Sequence, residues 1–162
     1  MNSVFKRYVD DNKKIIEDCF DIDWPLTKLD RFIKSEGDEV KWYIKSIYGY
    51  LREMYKHFAG VNPLGRVMGF SMATLSEVMN KCGNLVDGAD IKTTDVDLCF
   101  ISCIGGKKVS NWLSPEKGLV RYQISEAFVR LSCDKFMKTG FTTSYLIAVQ
   151  KCFEEYVLPM CK

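Results

Sequence analysis

The chain has 162 residues, 47% hydrophobic and 27% charged, which fits one folded domain with a sizeable core and argues against disorder. Its 23 basic and 21 acidic residues leave a net charge of +2, so there is no electrostatic case for nucleic acid as the main ligand. No apolar run approaches the ~20 residues that a bilayer span needs, and Met1 to Asp11 contains no apolar signal segment, so the expectation is an intracellular protein without a membrane partner.

The first predicted element runs from about Ser3 to Phe20, with Phe5, Tyr8, Val9, Asn12, Ile15, Ile16 and Cys19 along one stripe. Pro25 ends it by disfavouring helix at Trp24. Thr27 is a candidate cap for a short helix through Ile33, which Gly37 breaks. Asp38 is then the candidate cap of a long helix. Its apolar residues Val40, Ile44, Ile47, Leu51, Met54 and Phe58 fall at steps of four, three, four, three and four. Trp42 and Tyr50 face elsewhere. That helix ends at Ala59-Gly60, and a loop rich in Gly and Pro follows.

Ser71 is the candidate cap of the next helix, with Leu75, Val78, Met79 and Cys82 as its face and Gly83 as its stop. Thr93-Thr94 opens a helix carrying Val96, Phe100 and Cys103, which ends at Gly105-Gly106. A second loop spans Lys107 to Lys117. A short extended run from Gly118 then becomes a helix through Phe136, with Ile124, Ala127, Phe128 and Leu131 on one face. Thr142 or Thr143 caps a last helix with Leu146, Val149, Phe153, Tyr156 and Met160 on one side, closed by Pro159. The seven cysteines are odd in number and sit mostly in apolar helical positions, which reads as reduced, buried thiols. Cys99 and Cys103 lack the partners that a metal site needs.

The order helix, long loop, short extended run, helix occurs twice, about 50 residues apart. In the first unit Met54 and Phe58 close the incoming helix, Phe70 is the extended residue and Leu75 begins the outgoing face. In the second, Phe100, Leu119, Ile124 and Phe128 take the same places, with Tyr122 beside them. This skeleton resembles a pair of EF-hands, over roughly Ile44 to Phe136. The resemblance implies an all-α fold: an EF-hand-like helix-loop-helix pair with additional N- and C-terminal helices and at most two very short strands. It divides a single domain, 1–162, into an N-terminal helical segment at 1–37, units at 38–83 and 92–137, and a C-terminal helix at 141–162.

The loops depart from the family. Calcium needs closely spaced side-chain oxygens, a Gly at the bend and a closing bidentate Glu. The first loop, Ala59 to Thr74, has no carboxylate and Thr74 in the closing place. The second, Trp112 to Gln123, has Glu116 alone and closes on Gln123. Asp87, Asp90, Asp95 and Asp97 lack ligand spacing and read as a turn and as first-turn helix acids. The phrase Leu119 to Leu131, after Asp95 to Ile101, resembles degenerate EF-hand domains of ciliary and flagellar proteins, which implies a calcium-independent packing module on axonemal microtubules.

Catalytic signals are missing. His57 is the only histidine, at a helix end. No serine lies in a nucleophile elbow, and Gly105-Gly106-Lys107-Lys108 lacks phosphate-loop spacing. Glu126 is expected on an exposed helix side, and Arg121 and Arg130 are expected to pair with acids. The expectation is therefore a non-enzymatic structural or adaptor protein without cofactor or metal, whose partners are other proteins, tubulin or axonemal proteins among them. Its candidate contacts are Trp24, Trp42, Trp112, Lys107 and Lys108. The first and last helices are candidates to fill the groove between the units. A calcium-responsive regulator would need ligands that the loops lack. An unrelated helical bundle would leave loops 60–70 and 106–119 apart.

Overall fold

The computed structural model describes residues 4–61, 69–105 and 118–161, with side chains from Asn12 onward. The fold is all-α. Helix α1 (Val4–Asp23) runs into a 3-10 turn at Trp24–Leu26, with Pro25 in its first positions, where a missing N–H costs nothing. The short helix α2 (Leu29–Phe32) begins after Lys28. Thr27 does not cap it. Its hydroxyl and its backbone N–H both donate to the carbonyl of Trp24, closing the preceding turn instead.

The long helix α3 (Gly37–Val61) begins at the glycine expected to break the chain. The break falls earlier, at residues 33–36, because Ile33 turns extended. The Glu36 carbonyl accepts the first helical bond from Val40, while Asp38 and Glu39 sit in the first turn, where carboxylates favour the helix dipole. All six residues of the expected stripe are buried, and Tyr48 and Tyr55 join them.

Ser71 caps α4 (Met72–Lys81) as expected, its Oγ accepting the Thr74 N–H at 3.1 Å. Gly83 follows at φ +58°, a left-handed position that suits a residue without Cβ. The connection to α5 (Thr93–Ile104) turns around Asp87, whose carboxylate accepts N–H bonds from Ala89, Asp90 and Ile91. The Asp95 carboxylate reaches back to the Lys92 N–H at 2.8 Å and starts the helix. In α5, Val96, Cys99, Phe100 and Cys103 are buried, whereas Leu98 and Ile101 are exposed.

Helix α6 (Arg121–Phe136) is the centre of the molecule. Every residue from Gln123 to Val129 is buried, because α5 and α3 cover it on some sides and α7 (Tyr145–Cys152) covers another. Ser144, not Thr142 or Thr143, caps α7. The oxygen of Thr142 instead accepts the Ser144 N–H at 3.0 Å. The helix widens into a π turn at Phe153–Val157 and resumes as α8 (Leu158–Cys161). Pro159, expected as the stop, lies in the first turn after the π segment, where proline is tolerated.

One hydrophobic core joins residues of α1 through the π turn. Helices α7 and α8 pack on α3, and α7 also packs on α6. Ala148, Val149, Cys152, Phe153 and Val157 are all fully buried. The C-terminal helix thus lies between the two helical units. Helix α1 packs on the flank of α3, and its Ile15 remains half exposed.

Candidate functional site

The two units meet at Phe70 and Leu119. Each N–H donates to the other's carbonyl at 2.8 Å, a single antiparallel bridge, and both side chains are fully buried. The Phe70 ring stacks on Tyr55 with centroids 5.3 Å apart. Phe58, Leu75, Phe100, Ile124 and Phe128 are buried in the same core as these two residues.

The two closing positions stand just beyond the bridge. Thr74 is buried, its oxygen 3.0 Å from that of Ser71. Gln123 is 2% exposed and spends both ends of its amide within the protein. Its Oε1 accepts the Val120 N–H at 2.8 Å, and its Nε2 donates to the Cys103 carbonyl at 3.1 Å. Gln123 therefore ties the end of α5 to the start of α6. Calcium takes six to eight oxygens, several of them carboxylate. A hydroxyl and an amide that are already bonded do not fit that demand. Among the described residues no group of three or more His, Cys, Asp or Glu is arranged to hold a metal.

A second tie lies beside the first. The Lys28 ammonium donates to the carbonyls of Ser102 at 2.8 Å and Gly105 at 2.6 Å, at the C-terminal end of α5, where a cation complements the helix dipole. The same lysine lies 3.9 Å from Glu126, and its backbone N–H reaches the other carboxylate oxygen at 3.4 Å. Glu126 was expected on an exposed face but is 1% exposed. Burial is tolerated because Arg130, one turn on, holds it at 3.0 and 3.1 Å. Arg130 in turn lies over the ring of Phe32 at 4.7 Å.

Two further polar centres are equally committed. Arg121 grips the buried Asp23 through two bonds, at 2.6 and 3.0 Å, and the Tyr48 hydroxyl donates to the same carboxylate. Burial, then the Asp23 bond, hold the Tyr48 phenol far above its ordinary range. Lys135, 4% exposed, donates to the Leu85 carbonyl at 3.3 Å and to Asp87 at 3.0 Å, and lies 5.2 Å from the Tyr156 ring centre. Backbone N–H bonds, led by Ile91, and the Lys135 bond keep the Asp87 carboxyl well below the usual carboxylate range.

The cysteines are free thiols. Burial raises Cys133 to about 12 and Cys152 to about 11, so these thiols stay protonated near neutral pH. Cys99 faces the Ala127 carbonyl at 3.4 Å. His57 is exposed beside Phe58, with ring centroids 5.0 Å apart.

The candidate contact residues divide. Trp24 is 3% exposed and stacks on Phe20 at 5.7 Å, so it serves the core rather than a partner. Trp42 is 63% exposed. With Tyr50, Ser46, Gly49, Ile16 and Lys45 it lines a crevice of about 610 Å³ between α1 and α3. Gly49 allows the close approach there, since a Cβ would stand 3.2 Å from Ile16. Trp112, Lys107 and Lys108 lie outside the described residues. Asp23, Lys28, Glu36 and Lys135 carry polar contacts that sequence reasoning missed. Each has a hydrogen-bond partner 48 to 109 residues away, and no local pattern marks that pairing.

No helix among the described residues is long and apolar enough to cross a membrane. Comparison with known proteins finds no matching family model, no matching curated protein and no matching solved structure.

Proposed function

We propose that this chain is a non-enzymatic adaptor: a metal-free EF-hand-like pair kept for its shape and used to bind other proteins. The observation that carries the reading is the Phe70–Leu119 bridge, with Thr74 and Gln123 standing beyond it in the two closing positions, both bonded internally. That combination pairs the units as an EF-hand pair requires and replaces metal ligation with hydrogen bonds. The state of the polar side chains supports the absence of catalysis. Asp23, Glu126 and Asp87 are each held by a basic partner, and the buried thiols are raised rather than activated.

The filled interior changes how such a module would bind. An EF-hand pair ordinarily offers a partner helix the groove between its units. Here α7 and the π turn occupy that space with fully buried side chains. Partner contact then falls to the outer surface, with Trp42 as the exposed aromatic anchor. The narrower form of the reading is a calcium-independent module of a cilium or flagellum, contacting tubulin or axonemal proteins. It rests on the Leu119 to Leu131 phrase alone.

Two measurements test the reading. Calorimetric titration of the full chain with Ca²⁺ gives no micromolar heat, and a clear micromolar isotherm would replace the adaptor with a calcium-responsive regulator. A tagged chain fractionates with salt-washed microtubule doublets, and Trp42→Ala reduces that fraction. Recovery wholly in the soluble cytosol would sink the ciliary form.

A further inference from the structure

We infer that Lys28 and Gln123 together act as a built-in clasp that fixes α6 against the end of α5, a joining role that falls to a bound cation in an EF-hand pair. The inference rests on the EF-hand-like reading for the meaning of the site, but its geometry stands apart from it. The last carbonyls of a helix lack intrahelical donors. At the end of α5 three of them are taken up from outside the helix. Lys28 takes Ser102 and Gly105, and Gln123 takes Cys103.

Each donor is anchored at its other end to α6 or to its approach. Gln123 is itself a residue of α6, and its Oε1 holds the Val120 N–H just before the helix. Lys28 is joined through its backbone N–H to Glu126, one turn further along α6, and Arg130 neutralises the remaining charge of that carboxylate. The positive charge of an ammonium and the donors of an amide thus converge on the carbonyl oxygens at the end of α5. A metal ion joins helices by drawing oxygens together. This arrangement does so with covalently attached donors, so the association needs no free ion and does not respond to one. Lys28 comes from the segment between α1 and α2, so the N-terminal part of the chain also sets the geometry of the second unit.

Hydrogen exchange on the full chain, read by mass spectrometry, tests the clasp. In wild type, millimolar Ca²⁺ or a chelator leaves the exchange of residues 101–105 and 118–123 unchanged. Lys28→Met removes two charge-assisted bonds, and exchange in those segments rises about tenfold or more, while α3 and α7 keep wild-type protection. Lys28→Arg retains donors and restores most of that protection. Gln123→Leu, of similar volume, accelerates the same segments. If Gln123→Leu instead loosens the whole molecule, the partly exposed Lys28→Met decides alone. Wild-type exchange in Lys28→Met, or slowing by Ca²⁺ in the wild type, overturns the clasp. Fast exchange at Phe70 and Leu119 in the wild type would instead overturn the paired-unit reading, leaving the Lys28 result to be judged separately.

Discussion

Trp24 and Trp42 illustrate how little a residue type says about its role. Both precede or interrupt an apolar pattern, yet one is 3% and the other 63% exposed. Trp24→Ala should therefore cost about 3–5 kcal/mol, as emptying a core aromatic site does. Trp42→Ala should stay within about 0.5 kcal/mol of wild type, and under the proposed adaptor role it should weaken partner capture. Chemical denaturation of the two variants checks the contrast, and equal losses would contradict it. Glu126 teaches the same point for charge. Its spacing points to an outer face, but α6 has no outer face from Gln123 to Val129. The carboxylate is retained inside because Arg130 and Lys28 lie in reach. Gln123 could be named from the sequence as the residue in place of a closing Glu. That its amide spans Val120 and Cys103 could not, because the Cys103 carbonyl is 20 residues away.

At the scale of elements, the helices with strong periodicity were legible and the punctuation between them was less so. Ser71 and Gly83 do what their residue types favour, since a hydroxyl at an N-cap and a glycine beyond a C-terminus act within one turn. Gly83→Ala should lose about 1–2 kcal/mol from its φ of +58° alone, because the space is open: the nearest atom, of Tyr156, is 3.8 Å from a Cβ. A thermal melt of that variant measures it, and an unchanged midpoint would show that the turn can relax. The N-cap of α7 falls at Ser144 rather than at Thr142 or Thr143 because a distant residue settles where the helix starts. Glu36 accepts the Ser144 hydroxyl and the Tyr145 N–H, each at 2.6 Å, and so fixes where the helix begins. The π turn at Phe153–Val157 has no sequence mark either. It lies where Phe153 must pack between Phe128, at 5.6 Å, and Tyr43, at 6.2 Å.

For the whole molecule, the C-terminal helix belongs to the single hydrophobic core and is not an appendage. Phe153→Ala, which empties a fully buried site, should cost about 3–5 kcal/mol and lower the protection of α6 as well as α7. Exchange confined to α7 would show the helix to be separable. Stability should also fall in alkali. Cys133 at about 12, and Cys152 and Cys161 at about 11, are raised from 9.0, each chiefly by burial. The unfolded chain releases these protons first. The stabilising contribution is therefore complete below about pH 9 and is lost as pH rises through the folded values. Melting midpoints between pH 8 and 11 check this, and a flat profile would contradict the burial of Cys133 and Cys152. The sequence by itself determined the all-α class, the apolar faces of α3, α4 and α6, and the shortage of carboxylates in the two loops. Those properties follow from local spacing and residue chemistry. The resemblance of the two units also implied that Phe70 and Leu119 pair, and they do. Only the tertiary structure decided that α7 packs against both α3 and α6, and that Lys28, Asp23 and Lys135 reach their partners. Such contacts join residues roughly 50 to 100 positions apart, and periodicity carries no information about which face of one helix another will cover.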